Sequence, residues 1–85
     1  MPNRNYEKGR RKEYKIVHKE RDKDRLAFRS AGSHSPIDVV SIDVNSKQIY
    51  LIQSKPNSMS ENAKNKIIKK NELLNGTFNV SFVVV

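Results

Sequence analysis

The 85 residues include no cysteine. That removes disulfides and thiolate metal sites from consideration and suits a reducing, cytoplasmic setting. No apolar run approaches the roughly 20 residues that cross a bilayer. The N-terminus is basic but no apolar stretch follows it, unlike a secretory signal. Acidic residues are scarce as well: nine Asp and Glu face seventeen Lys and Arg, for a formal net charge of +8. The length itself is small. It suffices for one domain, residues 1–85, with a modest core that a partner subunit, a metal or nucleic acid would help to stabilise.

What the chain does have is basic charge, placed unevenly. Most of it lies in the first 29 positions and in the run from Lys64 to Lys70. An anionic partner is the natural inference, and nucleic acid is the commonest one. Arg10, Arg11 and Lys12 are candidate contacts to a DNA backbone. Taken singly, each is equally compatible with a solvated basic face. The same holds for Lys64, Lys66, Lys69 and Lys70.

Periodicity predicts six elements. Arg4 to about Lys19 is rich in Lys, Arg and Glu, lacks proline, and has Asn3 or Asn5 as a cap, so it reads as a helix. Its narrow apolar stripe, Tyr6, Tyr14, Ile16 and Val17, suits packing on one side of a sheet. Glu20 to Arg25 is a charged connection. Leu26 opens a short strand that ends near Ser30, and residues 31–36 form a loop by composition. Ile37–Val44 and Gln48–Lys55 read as an antiparallel hairpin around Asn45-Ser46-Lys47. Ser58 or Ser60 can cap a second helix with Ala63, Ile67 and Leu74 at helical spacing, and Gly76 suits its C-terminal end. Phe78 to Val85 reads as a last strand. The expected order is α-β-β-β-α-β, an α/β sandwich with a mixed sheet.

The hairpin gathers candidate chemistry. Asp38 begins one strand, and Gln53 and Lys55 stand two apart near the end of the next, so they project to one face. A carboxylate, an amide oxygen and an ammonium then converge at one sheet end. Such a set suits phosphodiester hydrolysis. Oxygen donors hold Mg²⁺ (or Mn²⁺), which acidifies a bound water, while lysine orients that water and stabilises the transition state. Asp38 is the central candidate ligand, with the Gln53 side chain and the Ser54 carbonyl beside it. By spacing alone the trio is also compatible with ordinary surface residues.

Three sequence blocks add a resemblance. Ile37-Asp38, fourteen residues, then Gln53-Ser54-Lys55 looks like the PD-(D/E)xK nuclease signature. Tyr6-x-x-Gly9-x-x-x-Glu13 and Arg29-Ser30-Ala31-Gly32-Ser33 precede it. In order and spacing they resemble the archaeal Holliday-junction resolvases. The resemblance implies a restriction-endonuclease-like fold and a homodimeric, Mg²⁺- or Mn²⁺-dependent endonuclease acting on branched DNA in recombination or repair. It carries Glu13, Asp38, Gln53 and Lys55 over as the active-site set. It adds a functional loop serine, Ser33 in preference to Ser30. Gln53 stands where that family usually has Glu, Pro36 lies two residues before Asp38 rather than directly before it, and resolvases usually continue beyond the last strand. A non-catalytic DNA-binding module and a restriction- or repair-type nuclease are the competing expectations.

Arg29 suits either a phosphate contact or a pair with Glu13. Glu7 suits a surface partnership with Arg10 or Arg11. His18 is expected to be exposed, and His34 sits in the loop where DNA would pass. Tyr50 is expected to pack against a helix. Val39, Val40, Ile49, Leu51 and Ile52 are the hydrophobes expected to be buried around the trio.

Overall fold

The computed structural model describes residues 4–30 and 35–85, with side chains described for 9–30 and 35–85. Contacts divide the chain into two compact units, Met1–Lys55 and Pro56–Val85.

The first unit opens with α1, Arg4–Arg21. Long unbranched Lys, Arg and Glu side chains favour the helix, and His18, Lys19 and Arg21 complement the dipole in its last turn. Asn5 lies inside the helix, not at its cap. A turn over Asp22, Lys23 and Asp24 ends it, with Asp24 at φ 61°, a conformation that Asp tolerates better than most residues. Three strands follow: β1 (Leu26–Arg29), β2 (Val39–Asp43) and β3 (Gln48–Ile52). They form one antiparallel sheet in the order β1-β2-β3. The register pairs Arg29 with Val39 and Val39 with Ile52 at one end, and Leu26 with Ile42 and Asp43 with Gln48 at the other.

Alternation along β2 separates the two faces. Val39 and Ser41 are fully buried. Val17 of α1 joins Ala27 and Val39 in the core, with Ile16 and Ile52 packed around them. The stripe expected on α1 is therefore narrower than its sequence suggests, since Tyr14 is exposed. The opposite face of the sheet carries Leu26, Phe28, Ile49 and Leu51, all exposed. Ile49 and Leu51 thus correct the expectation that they are buried. They share parity with Val40, whereas α1 covers the face of Val39.

The hairpin turn spans Val44 to Lys47. The Asp43 carboxylate accepts from the backbone N–H of Asn45 (3.1 Å) and Ser46 (3.2 Å), a side-chain turn that Asp favours. These bonds hold its pKa below the ordinary carboxylate value, with the Ser46 backbone as the largest cause.

The second unit contains α2, Glu61–Lys70, and a short 3-10 turn, Glu72–Leu74. Ser60 caps α2, accepting from the Ala63 N–H at 3.2 Å. Asn71 closes the helix, its backbone N–H bonding to the last-turn carbonyls. Gly76, at φ +134°, therefore lies beyond the 3-10 turn and is not the helix cap. The expected strand from Phe78 to Val85 is not formed, and its apolar side chains are exposed. β-prone alternation supplies only half of a strand; a neighbouring edge must supply the ladder. The sheet among the described residues is accordingly three-stranded and antiparallel, not mixed. No described helix is long and apolar enough to cross a membrane.

Candidate active site

The site is assembled where β2 begins and β3 ends. Asp38 precedes β2 by one residue and is fixed through its backbone on both sides. Its N–H donates to the Ile52 carbonyl at 2.8 Å, and its carbonyl accepts from the Ser30 N–H at 2.8 Å. The register that pairs Val39 with Ile52 places Asp38 opposite Gln53 one step further on. The Asp38 carboxylate accepts from the Ser54 N–H at 2.8 Å through Oδ2. A sequence separation of sixteen residues is closed by one charge-assisted bond.

Gln53 is half-buried, and its side-chain oxygen Oε1 has no solvent exposure and no hydrogen-bond partner. A buried acceptor left unmatched costs free energy on the order of 1–3 kcal/mol. Such an atom is one that a cation or a water satisfies. Lys55 is half-buried beside it in the chain.

Helix α1 reaches this same end of the sheet. Lys12 Nζ donates to the Lys55 carbonyl. Glu13 Oε2 accepts from Arg29 Nε at 2.8 Å, with both side chains largely shielded from solvent. Arg29 is the last residue of β1 and stands opposite Val39, the neighbour of Asp38. Of the two roles open to Arg29, the structure forms the pair with Glu13. Burial lowers the Arg29 pKa less than the Glu13 hydrogen bond raises it, and the net direction is upward.

Arg29 also joins a second group. Its Nη1 lies 3.4 Å from the Tyr14 hydroxyl, and its guanidinium sits 4.8 Å from the centre of the Tyr14 ring. Arg10, one helical turn earlier, approaches the same ring at 5.7 Å. Hydrogen bonds from Arg10 and then Arg29 hold the Tyr14 hydroxyl below its ordinary pKa. Tyr14 is absent from the residue set that sequence reasoning selects. The signal available was the Arg10-x-x-x-Tyr14 spacing, which puts the two on one helix face.

The structure therefore brings Glu13, Asp38, Gln53, Ser54 and Lys55 to one end of the first unit, with Lys12, Arg29 and Ser30 beside them. Arg11 is exposed on α1, as is His18, which was expected. Ser33 and His34 lie outside the described residues, as do the side chains of Tyr6 and Glu7. Tyr50 is the central residue of β3, opposite Ser41, and the Arg25 guanidinium covers its ring at 4.5 Å.

Among the described residues no three His, Cys, Asp or Glu side chains converge to hold a metal. The oxygen groups at the β2–β3 end are of mixed kind, the Asp38 carboxylate tied to the Ser54 N–H and the unmatched Gln53 amide oxygen, while Glu13 of α1 is held by Arg29. All are hard oxygens suited to Mg²⁺ or Mn²⁺, and the orphaned Gln53 Oε1 fits such an ion. No family model, curated protein or solved structure matches this chain.

Proposed function

We propose that this protein is a metal-dependent DNA endonuclease with its active site at the β2–β3 end, acting on branched DNA as a homodimer in the manner of the resolvases it resembles. The observation that carries the reading is the arrival of α1 at that end. Lys12 bonds to the Lys55 carbonyl and Glu13 pairs with Arg29, while Asp38 is tied to Ser54 and faces Gln53. The pairing of Glu13 with Arg29 and the tie of Asp38 to Ser54 support the reading.

Asp38, Gln53, the Ser54 carbonyl and Glu13 are the residues that would hold Mg²⁺. When bound, the ion supplies Lewis acidity and a water acidified toward neutrality. Lys55 holds and orients the attacking water and offsets charge on the phosphoryl oxygens. Arg29, fixed by Glu13, and the Arg10, Arg11 and Lys12 cluster bind and position the phosphate backbone. The excess of Lys and Arg across the chain supports this anion-binding role.

A non-catalytic DNA-binding module is the second reading, and two observations favour it: Glu13 is held by Arg29 at 2.8 Å, and position 53 carries an amide where the resolvases it resembles usually carry a carboxylate. Cleavage of four-way junction, duplex and single-stranded DNA with and without Mg²⁺ separates the two. Junction cleavage that needs the ion and is lost in Asp38→Asn and Lys55→Ala supports the nuclease. Tight DNA binding with no cleavage under any metal supports the module. Preferential cutting of plain duplex points to a restriction- or repair-type substrate.

A further inference from the structure

We propose that Tyr14 seats a backbone phosphate of bound DNA beside the candidate active site, donating its hydroxyl hydrogen to a phosphate oxygen between the Arg10 and Arg29 guanidiniums. This rests on the DNA-binding part of the function proposed above.

Proton direction follows from the groups themselves. A guanidinium has only donors. Arg29 Nη1 lies 3.4 Å from the Tyr14 oxygen, and the Arg10 side chain also hydrogen-bonds it. The phenol oxygen is therefore the acceptor in both contacts, and its own hydrogen remains to be given. Tyr14 is 42% exposed, so that hydrogen is within reach of a ligand. The acceptor must be content next to two cations, which selects an anionic oxygen.

Base stacking, the other common use of a tyrosine at a nucleic-acid surface, competes here with cations already on the ring. Stacking on a base needs a free aromatic face. Guanidiniums already lie 4.8 Å and 5.7 Å from the ring centre, held by attraction to the π face. The hydroxyl edge is what Tyr14 offers. Its place in the chain fits as well. Tyr14 follows Glu13, and Glu13 anchors Arg29 through Nε, so the phosphate seat and the candidate active site share one rigid pair. A phosphodiester held here lies along the same strand path as the one to be cut. Contacts of this kind position a duplex without reading its sequence.

The test is fluorescence anisotropy with a labelled four-way junction and a labelled duplex, in EDTA so that cleavage plays no part. Tyr14→Phe keeps the ring and the guanidiniums over it but removes the hydroxyl, both the hydrogen it would donate and the oxygen that accepts from Arg29. It is expected to weaken binding about 3- to 10-fold, the range of one lost hydrogen bond. The loss should be uniform across sequences, with the salt dependence unchanged. Arg10→Ala should instead reduce the slope of log affinity against log salt by about 1. Tyr50→Phe, in the middle of β3 under Arg25, should bind as the wild type does. An unaltered melting temperature for Tyr14→Phe shows that the loss belongs to the ligand contact. Wild-type affinity in Tyr14→Phe overturns the proposal while leaving the DNA reading intact. So does full affinity in Tyr14→Phe with loss in Tyr14→Leu, which would mean that the ring and not its hydroxyl meets the DNA. Failure of the wild-type protein to bind either DNA would remove the functional reading and this inference together.

Discussion

At the turn end of the three-stranded sheet, an arginine, a glutamate of α1, an aspartate of β2 and a tyrosine meet as Arg25, Glu20, Asp43 and Tyr50. At the open end the same four residue types recur as Arg29, Glu13, Asp38 and Tyr14. Their wiring differs. Glu20 uses both oxygens, bonding Arg25 at 2.8 Å and Lys23 at 3.1 Å. Asp43 is consumed by the turn, and its other oxygen lies 3.7 Å from Arg25. Each carboxylate of the open end has one oxygen in a described hydrogen bond, Glu13 Oε2 and Asp38 Oδ2, and the acceptor of Gln53 has none. The turn end is an ion-pair network in which Arg25 links Glu20 of α1 to Asp43 of β2, although Arg25 Nε has no hydrogen-bond partner. At the open end the shielded Gln53 oxygen is left without a hydrogen-bond partner, a position that a water or cation satisfies.

Substitutions at the two ends should differ in effect, the aspartates most. Exchanging one aspartate at each end is the severest. Asp38→Asn retains an acceptor for the Ser54 N–H but loses its charge, and should reduce Mg²⁺-dependent cleavage at least about 100-fold, the scale of losing one essential catalytic group. Asp43→Asn should leave the cleavage rate within about twofold. Equal losses would show that the two ends are not functionally distinct.

Glutamate removal comes next. Glu20 is nearly buried, and Glu20→Gln should cost about 2 kcal/mol in urea unfolding, as expected when hydrogen bonds to charged groups are lost. The pH dependence follows. Burial raises the Glu20 pKa, yet hydrogen bonds and charges from Lys23 and Arg25 together outweigh it, so the net shift is below the ordinary 4.5. A depressed folded-state pKa contributes stability that is present above the unfolded value and lost as pH falls through the folded one. Wild-type melting should therefore drop below about pH 4.5 more steeply than that of Glu20→Gln. Parallel pH curves would remove Glu20 from the network.

The third change sharpens the open end. Gln53→Glu supplies a second strand carboxylate and should tighten Mn²⁺ binding on the order of tenfold in calorimetry, because charge count sets affinity for hard cations. Unchanged affinity would place the ion away from Gln53. The smallest effect lies in the other unit: Ser60→Ala removes the α2 cap and should lower stability by about 1 kcal/mol, with no effect on cleavage chemistry.

The sequence reveals the local elements well. Strand β1 is legible in Leu26-Ala27-Phe28, the hairpin in its Val and Ile runs, and α2 in Ser60 with Ala63 and Ile67. Phe78 to Val85 shows the limit, because its alternation matches that of β3 but it finds no edge. Glu20 shows another: it reads as part of a charged connection, and only the turn at Asp22–Asp24 returns Arg25 to it and buries it. Gln53 was legible as a candidate by its spacing to Lys55, but the lack of a partner for its oxygen was not.

Residue order by itself determined α1, α2 and the three strands of the sheet, and which side chains the hairpin brings across from one another, because these are set by periodicities of two to four residues. Tertiary structure alone decided that α1 descends on the Asp38 end, that Arg29 closes on Glu13, and that Lys12 reaches the Lys55 carbonyl. Those contacts join positions sixteen and forty-three residues apart. They are fixed by how Val17 packs against Ala27 and Val39, a choice made by the whole unit and encoded in no local stretch of it.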